Sequence, residues 1–349
     1  MAAVNLAEPA PAAAAAGSRA PGGAPAGPLV GDLSEDALLA LIFPLLPAGS
    51  ATLLGPGDDA AVIASPDGRV VVSTDVLVED RHFRRAWSTG EDVGWRAAMQ
   101  NLADVAAMGA RPTALVVTLV APADLPAAWV TGLAAGLAAA CGPHVVGVVG
   151  GDLSGGGLIV VSVTVHGSLD GRAPVLRSGA RAGDVVAHAG VRGRSAAGLA
   201  LLDAGRGALS PELVRAYLRP EPPLAAGPAA NRAGATSMLD LSDGLLRDAG
   251  RVARASGVVL DLDPVADAFA ADVAALAAAA AALGADVEAW VLGGGEDHGL
   301  LATFPAGAAL PEPFRAVGRV RAAGPVGPGV LVGGAAPAAG SAGWDHFAR

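Results

Sequence analysis

"LDLSDGLLRD", residues 239–248, sets two aspartates and a serine where an apolar run ends and a helix should begin. The same device recurs in "GPGDDAAVI" (55–63), "VVVSTDVLV" (70–78), "NLADVAAMGA" (101–110) and "GVVGGDLSG" (147–155), so carboxylates flank apolar strands or an adjoining helix at five stations. Outward from these stations, apolar strand patterns alternate with helical ones, which predicts an α/β fold with mixed (α+β) sheets.

The expected strands of the first half are 70–77, 114–120, 145–149 and 158–166, with helices over 91–108 and 125–140. After "GSLDGRAP" (167–174) the pattern restarts with a strand near 184–188. Helices follow near 195–204, 210–217, 223–233, 244–256 and 266–283, and strands near 236–241, 258–262, 298–304 and 314–320. Three regions result: an Ala/Pro/Gly tail over 1–28, an N-terminal domain over 29–170 and a C-terminal domain over 171–349. The tail lacks a basic segment followed by a leucine-rich one, so it reads as a disordered arm rather than a signal peptide.

No stretch has the length and hydropathy of a membrane span, and the Ala-rich run near 270–283 is interrupted by Asp272. The lone Cys141 excludes an intramolecular disulfide and a cysteine zinc site, which makes the cytoplasm the default compartment. A net charge of −10 without a basic run argues against nucleic-acid binding. All 23 basic residues are arginine. A chain without lysine has no P-loop lysine, no protein-kinase lysine and no Schiff base, so any nucleotide must be held by backbone amides, arginine and metal ions.

Each station alone has an ordinary reading. "GPGDD" and "GGDLS" resemble turns, Asn101 and Asp104 could lie on a solvated helix face, and Asp240 or Ser242 could cap a helix. Convergence changes the physics. Two carboxylates 4 Å apart repel by roughly 4 kcal/mol at an effective dielectric of 20, so a cluster drawn from Asp58, Asp59, Asp75, Asp104, Asp152, Asp240 and Asp243 requires divalent cations. Hard oxygen donors suit Mg2+, with Mn2+ as a substitute, and several such ions among aspartates describe a polyphosphate site. The glycines of "GVVGGDLSGGG" (147–157) and "LGGGEDHGL" (292–300) let backbone amides approach phosphate. "GVRGRSAAGLALL" (190–202) is only loosely like a dinucleotide fingerprint, and helix–strand packing explains it better.

In order, "GPGDDAAVI", "STDVLVEDRHF", "NLADVAAMGARP", "GGDLS", "RSGARAGD", "GRSAAGL", "DLSDGL", "GGGEDHGL" and "WDHF" resemble the motifs of thiamine-monophosphate kinases across about residues 30–349. That family shares a superfamily with aminoimidazole ribonucleotide synthetase and selenophosphate synthetase, whose members bind ATP without a P-loop. The resemblance implies transfer of the ATP γ-phosphoryl group to thiamine monophosphate. It also implies a two-domain architecture like that of aminoimidazole ribonucleotide synthetase, a homodimer built through the N-terminal domains, and an active site in the cleft between domains.

By motif, the resemblance implies that Asp59, Ser73, Thr74, Asp75, Asp104, Asp152, Asp240 and Asp243 form the Mg2+ shell, while Asp58 supports its turn. Gly151, Asp152, Arg177 and Ser242 match ATP-contacting positions, and His82, Glu296 and Trp344 match positions that hold thiamine monophosphate. Arg177 offers a planar fork to phosphate oxygens, and Trp344 can stack on the cationic thiazolium. Asp80, His298 and Trp344 depart from the family's commoner Gly, Tyr or Phe, and Tyr. Two rivals are a synthetase of the same superfamily and a nucleotide sensor that binds ATP without transfer. Against selenophosphate synthetase, Cys141 falls at the end of an expected helix, and against a sensor, the acidic set is intact.

Overall fold

The computed structural model describes residues 27–57, 60–325, 327–337 and 343, so Asp58, Asp59 and Trp344 fall outside the described residues, as does the tail up to residue 26. Helix α1 (Glu35–Ile42) begins at Ser34, whose hydroxyl accepts the Ala37 amide, and a short antiparallel pair, β1 (Thr52–Leu54) and β2 (Val62–Ile63), follows. The first large sheet has β3 (Val71–Val78) and β5 (Gly147–Gly155) at its edges. Between them lie β4 (Arg111–Ala121) and β6 (Val160–Ser168), in the order β3-β6-β4-β5. Only the β4–β5 pair is parallel, in keeping with the crossover helix between these strands.

Helices α2 (Gly90–Ala107) and α3 (Ala127–Cys141) cover one face of this sheet. Their approach depends on glycine: a Cβ on Gly94 would lie 2.1 Å from the Leu133 carbonyl oxygen, and one on Gly136 would lie 2.1 Å from that of Glu91. Under them Leu77, Leu102, Leu115 and Ile159 are sealed from water. Helix α2 starts from a reciprocal capping box between Thr89 and Asp92.

The second sheet has six strands in the order β12-β9-β11-β7-β10-β8. They are β7 (Val185–Ala189), β8 (Ser237–Leu241), β9 (Val258–Leu262), β10 (Gly299–Phe304), β11 (Arg315–Ala322) and β12 (Gly329–Val332). Every pair is antiparallel except β12–β9. The helices of this half are α4 (Arg194–Asp203), α5 (Pro211–Leu218), α6 (Ala226–Arg232), α7 (Leu245–Ser256), α8 (Val265–Ala268), α9 (Ala270–Leu283) and α10 (Val287–Gly293). Its core gathers Leu201, Leu239, Leu260, Phe269, Leu301 and Val317. Both β8 and β10 are buried along their whole length, and α2 packs against β8, α5 and α6, so it is the shared wall between the halves. Among the described residues, no helix is long and apolar enough to cross a membrane.

Two expectations are corrected. "GGDLS" is not a turn: the strand expected over 145–149 runs on to Gly155 because Val117–Ala121 of β4 pairs with Gly151–Gly155. The long helix expected over 266–283 is broken at Phe269, which leaves helical geometry (φ −129°) and buries its ring edge-on against His188. The short elements α1, β1, β2, α10 and β12 lack enough periodicity to be read from sequence.

Candidate active site

The quoted stretch 239–248 forms the end of β8, a tight turn and the first residues of α7. Gly244 makes the turn possible, with φ 117° and a position where a Cβ would lie 2.6 Å from the Gly293 carbonyl oxygen. Beyond it, the Asp243 amide donates to Asp248 Oδ2 at 2.9 Å, and Arg251 donates to both Asp243 and Asp248. Burial drives the Asp248 carboxyl up to about 6, against the Asp243 amide and Arg251, which favour its charged form. Gly343 packs on the same turn, since a Cβ there would meet the Asp243 carbonyl oxygen at 2.3 Å.

Asp240, on β8, is only 6% exposed, and its Oδ2 lies 3.3 Å from Nδ1 of His298 beside β10. Across the seam, Ser73 on β3 donates to Asp104 Oδ2 on α2 at 2.7 Å. Burial pushes the Asp104 carboxyl up to about 7, and the charges of Asp240 and Asp75 push the same way, while the Ser73 hydroxyl and His298 oppose them. Asp75, Asp104 and Asp240 therefore form one electrostatic unit drawn from β3, α2 and β8. A cavity of about 210 Å3 opens beside Asp104 and Asp240, lined also by Ser73, Arg177 and Met238. A raised carboxyl amid oxygen-only donors is what a hard cation relieves, and Mg2+ commonly takes only one or two carboxylates and completes its shell with water and phosphate. The residues present fit such an ion, although among the described residues no three His, Cys, Asp or Glu side chains stand close enough to form a cage of their own.

Other expected residues lie elsewhere. Strand alternation turns Thr74 to the face opposite Ser73, where its hydroxyl donates to the Val163 carbonyl at 2.9 Å and accepts from Thr164. Gly151 and Asp152 are exposed on β5 at the far edge of the sheet, three inter-strand spacings or about 14 Å from β3. Ser242 is half-buried, and its carbonyl accepts the Glu296 amide at 2.9 Å.

The two described residues expected to hold the acceptor share a neighbourhood. His82 Nδ1 accepts the Val78 amide at 3.0 Å, and its carbonyl accepts the Tyr217 hydroxyl at 3.3 Å. Glu296 is ion-paired with Arg96 of α2. Burial works to raise the Glu296 carboxyl, yet the Arg96 guanidinium, with help from His298 and His82, holds it below the usual range. Sequence reasoning missed Arg96, Tyr217, Asp248 and Arg251. The available signals were an arginine inside the otherwise apolar face of "VGWRAAM" (93–99) and the Asp248/Arg251 spacing of three within one helix turn.

The "GRSAAGL" glycines serve packing. Gly198 lets α4 approach α5 so closely that a Cβ would meet the Leu213 carbonyl oxygen at 2.1 Å. The start of α4 is already occupied by an internal anion, because Asp297 accepts the Gly193 and Ser195 amides at 2.6 and 2.8 Å.

Residues 57–169 match the family model for the AIR synthase related protein, N-terminal domain. The chain is 52% identical over 298 residues to the thiamine-monophosphate kinase of Mycobacterium tuberculosis, covering 85% of this chain and 87% of the relative. It is 43% identical over 301 residues to that of Corynebacterium glutamicum, with 84% and 88% covered. Among solved structures it superposes on AaThiL complexed with AMPPCP and TMP with a TM-score of 0.72 and 32% identity, covering 90% of this chain and 98% of that one.

Proposed function

Because this chain belongs to the thiamine-monophosphate kinase family, we propose that it transfers the ATP γ-phosphoryl group to thiamine monophosphate by direct in-line displacement, with Mg2+ bound and Mn2+ as a substitute. The observation that carries this is that Asp104 and Asp240 line one cavity with Arg177, with the charge of Asp75 acting on Asp104. Such ions supply neutralisation of the charge on the phosphate chains. Asp75, Asp104, Asp240 and Asp243 would hold them, with Ser73 orienting Asp104 and Asp59 keeping its expected role in the shell, whereas the Thr74 hydroxyl is turned to the opposite face of β3 and takes no part. Arg177 would grip phosphate oxygens through its fork, and Ser242 would contact the nucleotide. His82, Glu296 and Trp344 would hold the thiamine end of the acceptor. The attacking atom is a phosphate oxygen that carries no proton to remove, so positioning and electrostatics suffice without a general base.

The protein would work in the cytoplasm as a two-domain chain divided near residue 170, and as a homodimer. The uncovered face of the four-stranded sheet, where Val72 is 61% and Val76 44% exposed, supports a partner there. Gly151 and Asp152 sit on the opposite edge of that sheet from Asp75. Their nucleotide role is therefore best filled across the dimer, with β5 of one chain serving the site of the other.

Incubation with ATP, MgCl2 and thiamine monophosphate, with thiamine and no acceptor as controls, tests the reaction by chromatography. Equal amounts of ADP and thiamine diphosphate, formed only with the monophosphate and abolished by chelator, are expected. ADP without thiamine diphosphate would overturn the acceptor assignment.

A further inference from the structure

Arg96 sits in the first half of α2 and is only 2% exposed. Its Nη1 donates to the Tyr217 carbonyl at 3.2 Å, its guanidinium stacks 4.6 Å from the centre of the Tyr217 ring, and its Nη2 donates to Glu296 Oε2. Tyr217, at the end of α5 and 4% exposed, passes the connection on through its hydroxyl to the His82 carbonyl. One buried cation thus links four segments: the "GGED" loop, α2, α5 and the loop after β3.

The pair joins a buried guanidinium to a carboxylate whose side chain is 38% exposed, and it is a poor device for stability, because desolvating Arg96 offsets much of the Coulomb attraction. It is a good device for orientation. Glu296 needs one, since it holds a left-handed backbone (φ 65°) that a non-glycine residue adopts at a cost, and its amide is tied to Ser242. Arg96 engages Oε2, so the remaining carboxylate oxygen keeps a fixed direction for a donor or cation on a ligand.

We infer that Arg96 is the positioning residue of the acceptor subsite, orienting Glu296 directly and the His82 loop through Tyr217 to receive the cationic heteroaromatic end of thiamine monophosphate. This rests on Glu296 and His82 facing the acceptor, as proposed above. Arg96 itself touches no reacting atom. Its effect belongs to acceptor binding, separate from the nucleotide and the transfer step.

Steady-state kinetics of Arg96→Met, Arg96→Lys, Glu296→Gln and the Arg96→Met/Glu296→Gln double variant test this, with thermal melting to establish that each is folded. Losing a charge-assisted hydrogen bond that orients the carboxylate should raise the KM for thiamine monophosphate roughly ten- to a hundredfold in Arg96→Met. The kcat and the KM for ATP should stay within about twofold, Arg96→Lys should recover part of the loss, and Arg96→Met should add little once Glu296 is already Gln. Fully multiplicative effects, or an equal rise in the KM for ATP, would overturn the inference. So would wild-type acceptor KM in Arg96→Met alongside a raised one in Glu296→Gln. If Glu296→Gln leaves acceptor KM unchanged, it is the assignment of Glu296 to the acceptor that fails. Should Arg96→Met not fold, Arg96→Lys and Tyr217→Phe carry the test through the same split, and an unaltered acceptor KM in both would overturn the inference.

Discussion

Ser73 Oγ donates a 2.7 Å hydrogen bond to Asp104 Oδ2, joining β3 to α2 beside the cavity that Asp240 and Arg177 also line. The hydroxyl partly compensates a carboxylate that burial and two neighbouring aspartates disfavour. One hydrogen bond does not restore an ordinary acidity to Asp104, and that residual cost has a measurable consequence.

In chelator, wild-type protein should lose thermal stability as pH rises from about 4 to about 7. Asp104 is held at about 7 against an ordinary 3.8, so the native state binds its proton more tightly than the unfolded chain. Stability from that proton is complete below the unfolded value and is lost as pH rises through the folded one. Asp248, held at about 6, contributes in the same sense. Asp104→Asn should flatten the profile, raise Tm at pH 8 by several degrees and abolish turnover. Melting curves from pH 4 to 8, with and without MgCl2, check this, and an identical slope in wild type and variant would refute it.

Asp75→Asn and Asp243→Asn should each slow phosphoryl transfer by about two or more orders of magnitude with folding intact. Arg251 also binds Asp248, so the Asp243 variant keeps an ion pair at the start of α7. Single-turnover rates together with calorimetric titration of Mg2+ would separate lost chemistry from lost metal affinity. Unchanged rates in both variants would dismantle the proposed shell.

Mixing inactive chains tests whether Asp152 serves the partner. If the site combines Asp243 of one chain with Asp152 of the other, then reassembling Asp152→Asn with Asp243→Asn creates one intact site in each heterodimer. Activity should return to roughly a quarter of wild type, since half the dimers are mixed and each has one good site. No recovery after verified subunit exchange would place Asp152 and Asp243 in the same chain's site.

Gly244→Ala should destabilise the protein by about 1–3 kcal/mol, because its positive φ and its contact with Gly293 both resist a Cβ. Urea unfolding measures this. A neutral result would show that the turn into α7 relaxes without cost.

Much of the architecture is legible in the sequence. Strands β3, β4, β6, β8, β9 and β10 announce themselves as apolar runs, and the aspartates stand out because an unpartnered carboxylate in such a setting is costly. Helix α2 was legible too, including Asp104 on the same side as its apolar residues. The arginine eight positions earlier also stands out among apolar neighbours, but its partners Tyr217 and Glu296, 121 and 200 residues away along the chain, could not be read from that stretch.

By itself, the sequence determined the chemistry on offer: oxygen donors, arginine without lysine, glycine-rich segments, and the strands and helices that carry them. Tertiary structure decided which donors meet. It set Ser73 on Asp104 and turned Thr74 away, paired His298 with Asp240, and put Asp152 on the edge opposite Asp75. The physical reason is that side-chain type and local period are written residue by residue, whereas sheet order, register and helix docking come from long-range pairing that no local stretch encodes.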